Sequence, residues 1–408
     1  MTWNLSRMGA LVLACALGPV GLTHAAEETP ETKTDMSKGG VGWSWGDNSI
    51  RLVGFVQLRF IAEDTEEFDL DPVGSTGYGE PDGLITAFQI PRARLGFKGT
   101  MWKPWLKYAL VYELSQTSGD RDAKLKDAYV EFAAKPLASI RFGQFKVPFG
   151  FQELVPDEAQ LFAERAITNA FAPARDQGAT ILGLTSKKHF GYAAGVFNGS
   201  GESKNQDDTG LMYAGWVYWD PLGEYKLSEG SPDAPQQGSV VRFAAGYRTG
   251  EPGRGYDTAG VFEDPNNQDA FNVAFAWKNR RFTATAEYYQ QTTETKNPPP
   301  ATADVDAGGW HVQGSVAAIP QKLDFGLRYA VVDSNTNAPD GAVTEIRGVG
   351  SYFWKGHNLK LLLDLGTLEY EPNAPGRTTS GATTTKGTRL VSGDVTDTVA
   401  RLQVQLAF

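Results

Sequence analysis

From Ser49 to Phe408 the chain is built from segments of about ten residues in which apolar and polar side chains alternate. Between Gln321 and Val332, Leu323, Phe325, Leu327, Tyr329 and Val331 hold one parity, and Asp324, Gly326, Arg328 and Ala330 hold the other. The last segment repeats the pattern, with Leu402, Val404, Leu406 and Phe408 against Arg401, Gln403, Gln405 and Ala407. A repeat of two sends the sets to opposite faces of a β-strand. Sixteen strands are predicted: 49–62, 85–99, 104–116, 124–134, 137–145, 178–187, 190–198, 209–220, 238–250, 269–278, 280–291, 308–319, 322–333, 343–354, 358–370 and 397–408. Their connections alternate long (63–84, 146–177, 251–268, 292–307, 371–396) and short (100–103, 188–189, 279, 320–321, 355–357). An up-and-down barrel with tight turns at one rim and extended loops at the other produces this asymmetry. Connection 221–237 is long where a turn is expected, so either the strand count slips there or that turn carries an insertion.

A soluble sandwich also alternates, but it buries its apolar face, whereas a membrane barrel turns that face to lipid. Three features favour the membrane. Aromatic residues gather at segment ends (Trp102, Trp105, Tyr218, Trp219, Tyr288, Tyr289, Tyr352, Trp354), as in an interfacial girdle. The strand number is even. The chain ends on Phe408 at an outward position, which resembles the signal read by the outer-membrane assembly machinery. The expected fold is all-β: a transmembrane up-and-down antiparallel barrel of about sixteen strands over 49–408, with a long third loop (146–177) folded inward as a constriction.

The first residues read differently. Arg7, the apolar stretch Met8–Leu22 and Thr23-His24-Ala25 predict a cleavable signal peptide over 1–25. A lipoprotein cut before Cys15 would leave too short an apolar core, and Pro19 and Gly21 interrupt a run too short to span. Residues 26–48 are polar and read as a flexible lead-in. Across 408 residues the net charge is −10, with 21% charged and 41% hydrophobic residues, which indicates neither disorder nor a helical membrane protein. The acidity argues against a nucleic-acid partner. One Cys and 4 His leave no ligands for a zinc site or a disulfide framework, and no cofactor is expected. Of the histidines only His311 has inward parity, and neither a Gly-x-Ser-x-Gly elbow nor a serine partner accompanies it, so catalysis is not expected. A plugged or adhesive barrel is the other alternative, and the lack of a separate plug domain speaks against it.

With the apolar parity facing lipid, the opposite parity lines the lumen. Its basic positions are Arg51, Arg59, Arg92, Arg94, Lys98, Lys107, Arg141, Arg242, Arg248, Lys278, Arg281, Arg328, Arg347, Lys360 and Arg401. Its acidic positions are Glu113, Asp127, Glu131, Glu287, Asp324, Glu345 and Asp364. Cross-strand pairing would neutralise many of these, but the basic excess would raise the local concentration of anions. Arginine suits phosphate-like oxyanions because its planar fork donates two hydrogen bonds at once.

In the long loop, Pro156-Asp157-Glu158 is read as the start of a helix running toward Asn169, with Asp157 as its cap. Several stretches carry a family resemblance: "RARLGFKG" (92–99), "DAYVE" (127–131), "FGQFKVPFG" (142–150), and Glu164-Arg165 followed by "PARDQG" (173–178). In these the chain resembles the phosphate-selective porins typified by channels O and P. The resemblance covers essentially the whole barrel and implies a sixteen-stranded, trimeric outer-membrane channel with an inward third loop. It implies an environment of outer-membrane lipid and lipopolysaccharide, with small anions as the permeant solutes. Lys146, Arg165 and Arg175 are the loop cations expected near the constriction, with Glu164 and Asp176 as candidate partners for the two arginines. Phosphate-specific members carry clustered lysines there, and this loop has only Lys146. The acidity gathers elsewhere: residues 63–84 alone hold Glu63, Asp64, Glu66, Glu67, Asp69, Asp71, Glu80 and Asp82, and no base. The expected picture is a basic conduit inside an acidic rim.

Overall fold

The structure, a computed structural model, describes residues 41–65, 83–115, 123–185, 189–204, 210–251, 267–294, 304–371 and 395–408, with a few positions beside them (33–35, 187, 255–256, 262–263, 374). The signal-peptide stretch and most of the acidic segment 63–84 lie outside the described residues. Sixteen barrel strands follow one another: β1 (Asn48–Thr65), β2 (Gly83–Met101), β3 (Lys103–Glu113), β4 (Lys124–Lys135), β5 (Ala138–Lys146), β6 (Arg175–Leu184), β7 (Phe190–Phe197) and β8 (Met212–Trp219). The second half comprises β9 (Ser239–Gly250), β10 (Gln268–Asn279), β11 (Phe282–Thr293), β12 (Val305–Ile319), β13 (Leu323–Asp333), β14 (Ala342–Phe353), β15 (Leu359–Tyr370) and β16 (Val395–Ala407).

Each strand pairs antiparallel with its sequence neighbour, and β16 pairs with β1 to close the barrel. Closure leaves no sheet edge to be satisfied in lipid. The pleat sorts side chains as the period of two requires. On β16 Leu402, Val404 and Leu406 are 42–49% exposed, whereas Arg401, Gln403 and Gln405 are at most 3% exposed. An apolar face outside and a polar face inside is the reverse of a soluble sandwich.

The connection 220–238 leaves the strand count intact, since β8 and β9 pair directly with each other. It is therefore an insertion at the short-turn rim. Three other expectations are corrected. Residues Lys33–Asp35 and Gly42–Trp45 of the lead-in form short strands, the second pairing with the start of β1. Arg281 sits in the exposed turn before β11, not on the wall. Tyr289 and Tyr218 do not join the outer girdle. Their neighbours Tyr288 and Trp219 face outward, and a strand cannot turn two successive side chains to one face. Tyr289 is instead 1% exposed and packs inside with Phe149 and Phe171.

Candidate functional site

The site is built on the long connection 147–174 between β5 and β6. A short helix α1 (Phe151–Leu154) and two single 3₁₀ turns (Asp157–Ala159, Ile167–Phe171) interrupt an otherwise extended path. The expected helix from Asp157 to Asn169 does not form, and Asp157 caps nothing. The physical reason is competition for the backbone. Buried amides and carbonyls must find partners, and here the barrel wall supplies them in place of a helix.

Glu287 on β11 accepts from the Phe151 and Gln152 amides (2.5 and 3.1 Å). Glu345 on β14 accepts from Ile167 N (3.0 Å), and Asp364 on β15 from Ala163 N (3.0 Å). In return Arg328 on β13 donates to Glu164 O (3.0 Å), and Lys360 on β15 donates to Gln160 O (2.5 Å) and Glu158 O (3.1 Å). At the loop's start Gly150 adopts φ +80, and a Cβ there would stand 2.7 Å from the Tyr289 hydroxyl, so only glycine fits.

The loop's own charges are spent on the wall. Glu164 takes Arg59 and Arg92, each at 2.6 Å. Asp157 bonds Arg94 and Arg165, and Arg165 also reaches Glu153 at 3.5 Å. Burial alone would raise both carboxyls. Arg92 and Arg59 outweigh it at Glu164, and Arg94 and Arg165 at Asp157, so each titrates well below the usual carboxylate range.

Beside the loop lies a cavity of about 1020 Å³. It follows the wall from β2 to β9 and reaches Phe55 on β1 and Phe408 at the short-turn rim. Of the ten cations named from sequence, Arg94, Lys98, Arg141, Lys146, Arg175 and Arg242 line it. Arg59, Arg92, Arg165 and Arg328 do not; they hold the loop. Including Lys107 and Lys226, eight basic side chains face five acidic ones (Asp127, Glu131, Asp157, Glu158, Glu224).

Several of the lining cations are oriented by a partner. Arg141 is gripped by Glu131 (2.6 Å) over the Tyr129 ring (4.4 Å), and Arg175 donates to Asp127 (2.9 Å). Arg175 is thus held by Asp127, not by its neighbour Asp176, which accepts from the Gln177 and Gly199 amides. Likewise Arg165 is bound by Asp157 and not by Glu164. Arg242 is bound by both oxygens of Asp220 (2.8 and 2.7 Å) and stacked on Tyr218 at 3.8 Å. Lys146 donates to the Glu153 and Val155 carbonyls. Lys98 is exposed to the cavity and has no ion pair among the described residues. Lys107 is 50% exposed and reaches Glu131 at 3.3 Å.

The aromatic supports Tyr129 and Tyr218 escape a reading based on charge alone. Their signal is inward parity in otherwise polar rows. His311 lies outside the cavity lining, with Nδ1 2.7 Å from Thr168 Oγ1. The cavity lining binds and orients charge, and the buried Thr168–His311 pair stands apart from it.

Comparison with solved structures agrees with this architecture. An anion-selective porin from Comamonas acidovorans superposes with a TM-score of 0.60 at 13% identity, over 88% of this chain and 100% of that one. OprB of Pseudomonas putida gives 0.56 at 12% identity, over 87% and 94%. The trimer form of Vibrio cholerae OmpT gives 0.53 at 12%, over 89% and 100%. At such identities the likeness is one of fold. No curated protein matches the chain in sequence. The sequence profile described as "Phosphate-selective porin O and P" matches residues 76–408, most of the chain. A closed sixteen-stranded barrel, a polar interior crossed by a wall-bound loop and that match lead to one assignment: the chain belongs to the phosphate-selective porin O and P family.

Proposed function

We propose that the protein is an outer-membrane porin: a water-filled channel for passive diffusion of small hydrophilic solutes that prefers anions such as phosphate. The observation that carries this reading is the sign of the cavity wall. Eight basic side chains face five acidic ones in a chain whose net charge is −10. Segment 147–174 acts as the constriction, and Lys98, Lys107, Arg141 and the fixed edges of Arg94 and Arg175 attract the solute. The chain is exported on residues 1–25, handed to the assembly machinery through Phe408, and works as a homotrimer among outer-membrane lipid and lipopolysaccharide. Family and fold point to a channel, not an enzyme.

The test is the reversal potential of the purified protein in planar bilayers under a salt gradient, comparing phosphate, sulfate and chloride. Anion preference is expected, and cation preference overturns the reading. A second reading, an anion porin without phosphate specificity, is favoured by one observation. The only loop lysine, Lys146, spends its ammonium on loop carbonyls and Glu153. Chloride preference unaffected by phosphate would support it.

A further inference from the structure

The 220–238 insertion is unusual for a short-turn connection, because much of its middle is buried. Tyr225, Ser228, Glu229, Ser231 and Ala234 are at most 6% exposed. It also crosses half of the barrel mouth. At its start Asp220 binds Arg242 on β9. Lys278 on β10 donates to Lys226 O (3.0 Å) and Ser228 Oγ (2.8 Å). At its far end Ser231 donates to Asp324 on β13 (2.6 Å) from both its amide and its hydroxyl. Gly230 between them has φ +70, and a Cβ there would meet Asp324 Oδ2 at 2.9 Å and Leu161 Cδ1 at 3.2 Å.

At the apex the insertion meets the constriction segment directly. One oxygen of Glu229 accepts from Leu161 N (2.8 Å), the other from Gln152 Nε2 (2.9 Å), and its own amide donates to Ala159 O (2.8 Å). Behind this junction the wall is packed: Asp324, Ser351, Leu362 and Asp364 are fully buried. In front of it lies the open cavity along β2–β9. Two segments entering from opposite rims therefore meet inside the barrel near its short-turn rim, where Gln321 donates to Ser231 Oγ and Lys360 to Gln160 O, and the meeting line divides a filled half from an open one.

We propose that the 220–238 insertion is the second wall of the constriction, and that Glu229 is the positioning residue that locks it to segment 147–174. Together they confine permeation to the β2–β9 side. The solute consequently passes Lys98, Arg141 and Arg175 instead of spreading over the whole polar interior. This inference rests on the channel reading above, but its test has an independent arm.

Single cysteines are introduced in a Cys15→Ser background: Ala133→Cys on the cavity wall and Ser351→Cys in the filled half. Each is exposed to a charged thiol reagent in the folded, detergent-solubilised full chain. Labelling is expected at Ala133→Cys and absent at Ser351→Cys. Adding Glu229→Ala, or replacing 224–236 by a short Gly-Ser turn, is expected to open Ser351→Cys to the reagent. In bilayers the shortened variant should roughly double the conductance and weaken ion preference. Glu229→Gln, which keeps one acceptor, should lie between wild type and Glu229→Ala. Equal labelling at both positions in the intact chain overturns the proposal, as does continued protection of Ser351→Cys in Glu229→Ala. Loss of conduction in every variant including the parent would instead overturn the channel reading and leave the labelling result to decide this one.

Discussion

At the scale of single residues, the interior cations divide by what surrounds them rather than by where they fall in the sequence. Lys98 faces the cavity without an ion pair among the described residues, so under the proposed function its charge would act on passing ions. A unit charge at about 5–8 Å in water contributes on the order of 0.5–1 kcal/mol, so Lys98→Gln should lower the anion-to-cation permeability ratio about two- to fivefold, read from reversal potentials. Arg328 behaves otherwise. It is 2% exposed and bound to Glu345 at 2.6 Å, and Arg347 shares the same carboxylate. Glu345→Ala removes the carboxylate that two buried guanidinium groups share, leaving Arg347 to Asp364 and Arg328 to loop carbonyls, and frees the Ile167 amide, which should cost about 3 kcal/mol in a denaturant titration of the lipid-bound protein. Arginine parity was legible in the sequence because a strand alternates strictly. Pairing was not, because Arg59 and Arg92 meet Glu164, a residue about a hundred and about seventy positions away on a segment whose path no periodicity describes.

At the scale of elements, all sixteen strands are readable to within a few residues, since lipid outside and water inside enforce one period on every one of them. The constriction segment is not readable in the same way. Its helix signals were real local preferences, overridden by wall carboxylates that bind its amides one at a time. The 220–238 length anomaly was visible, but nothing in its composition says that it turns inward. This mode of anchoring fixes a pH response. Glu164 and Asp157 have folded-state values lowered below those of the unfolded chain. Their contribution is therefore complete above the ordinary carboxylate range and disappears as pH falls through the lowered values. The Glu164 and Asp157 anchors should hold unchanged from neutral pH down to about 5 and loosen only well below about pH 4. Channel recordings at stepped pH on the wild type and on Glu164→Gln measure this, and an effect of Glu164→Gln that vanishes already at pH 6 would contradict it.

At the scale of the whole molecule, the barrel is held shut by its own ends. Phe408 exchanges backbone hydrogen bonds with Gly54, donating at 2.9 Å and accepting at 3.1 Å, and Gln57 donates to Gln405 across 348 positions of sequence. Removing Phe408 should reduce the fraction that reaches the compact, heat-modifiable form on gels, with little effect on the conductance of those molecules that do close. This seam also constrains the order of events during biogenesis. Joining ends so far apart costs about 5 kcal/mol of chain entropy, and none of it is returned until the last-made strand arrives. Before then both flanking strands present unpaired amides that hydrocarbon cannot satisfy. A nascent chain lacking only its final hairpin is therefore no partly working pore but an open sheet with two sticky borders. It must either be held by a helper that lends it a temporary edge or be lost to aggregation.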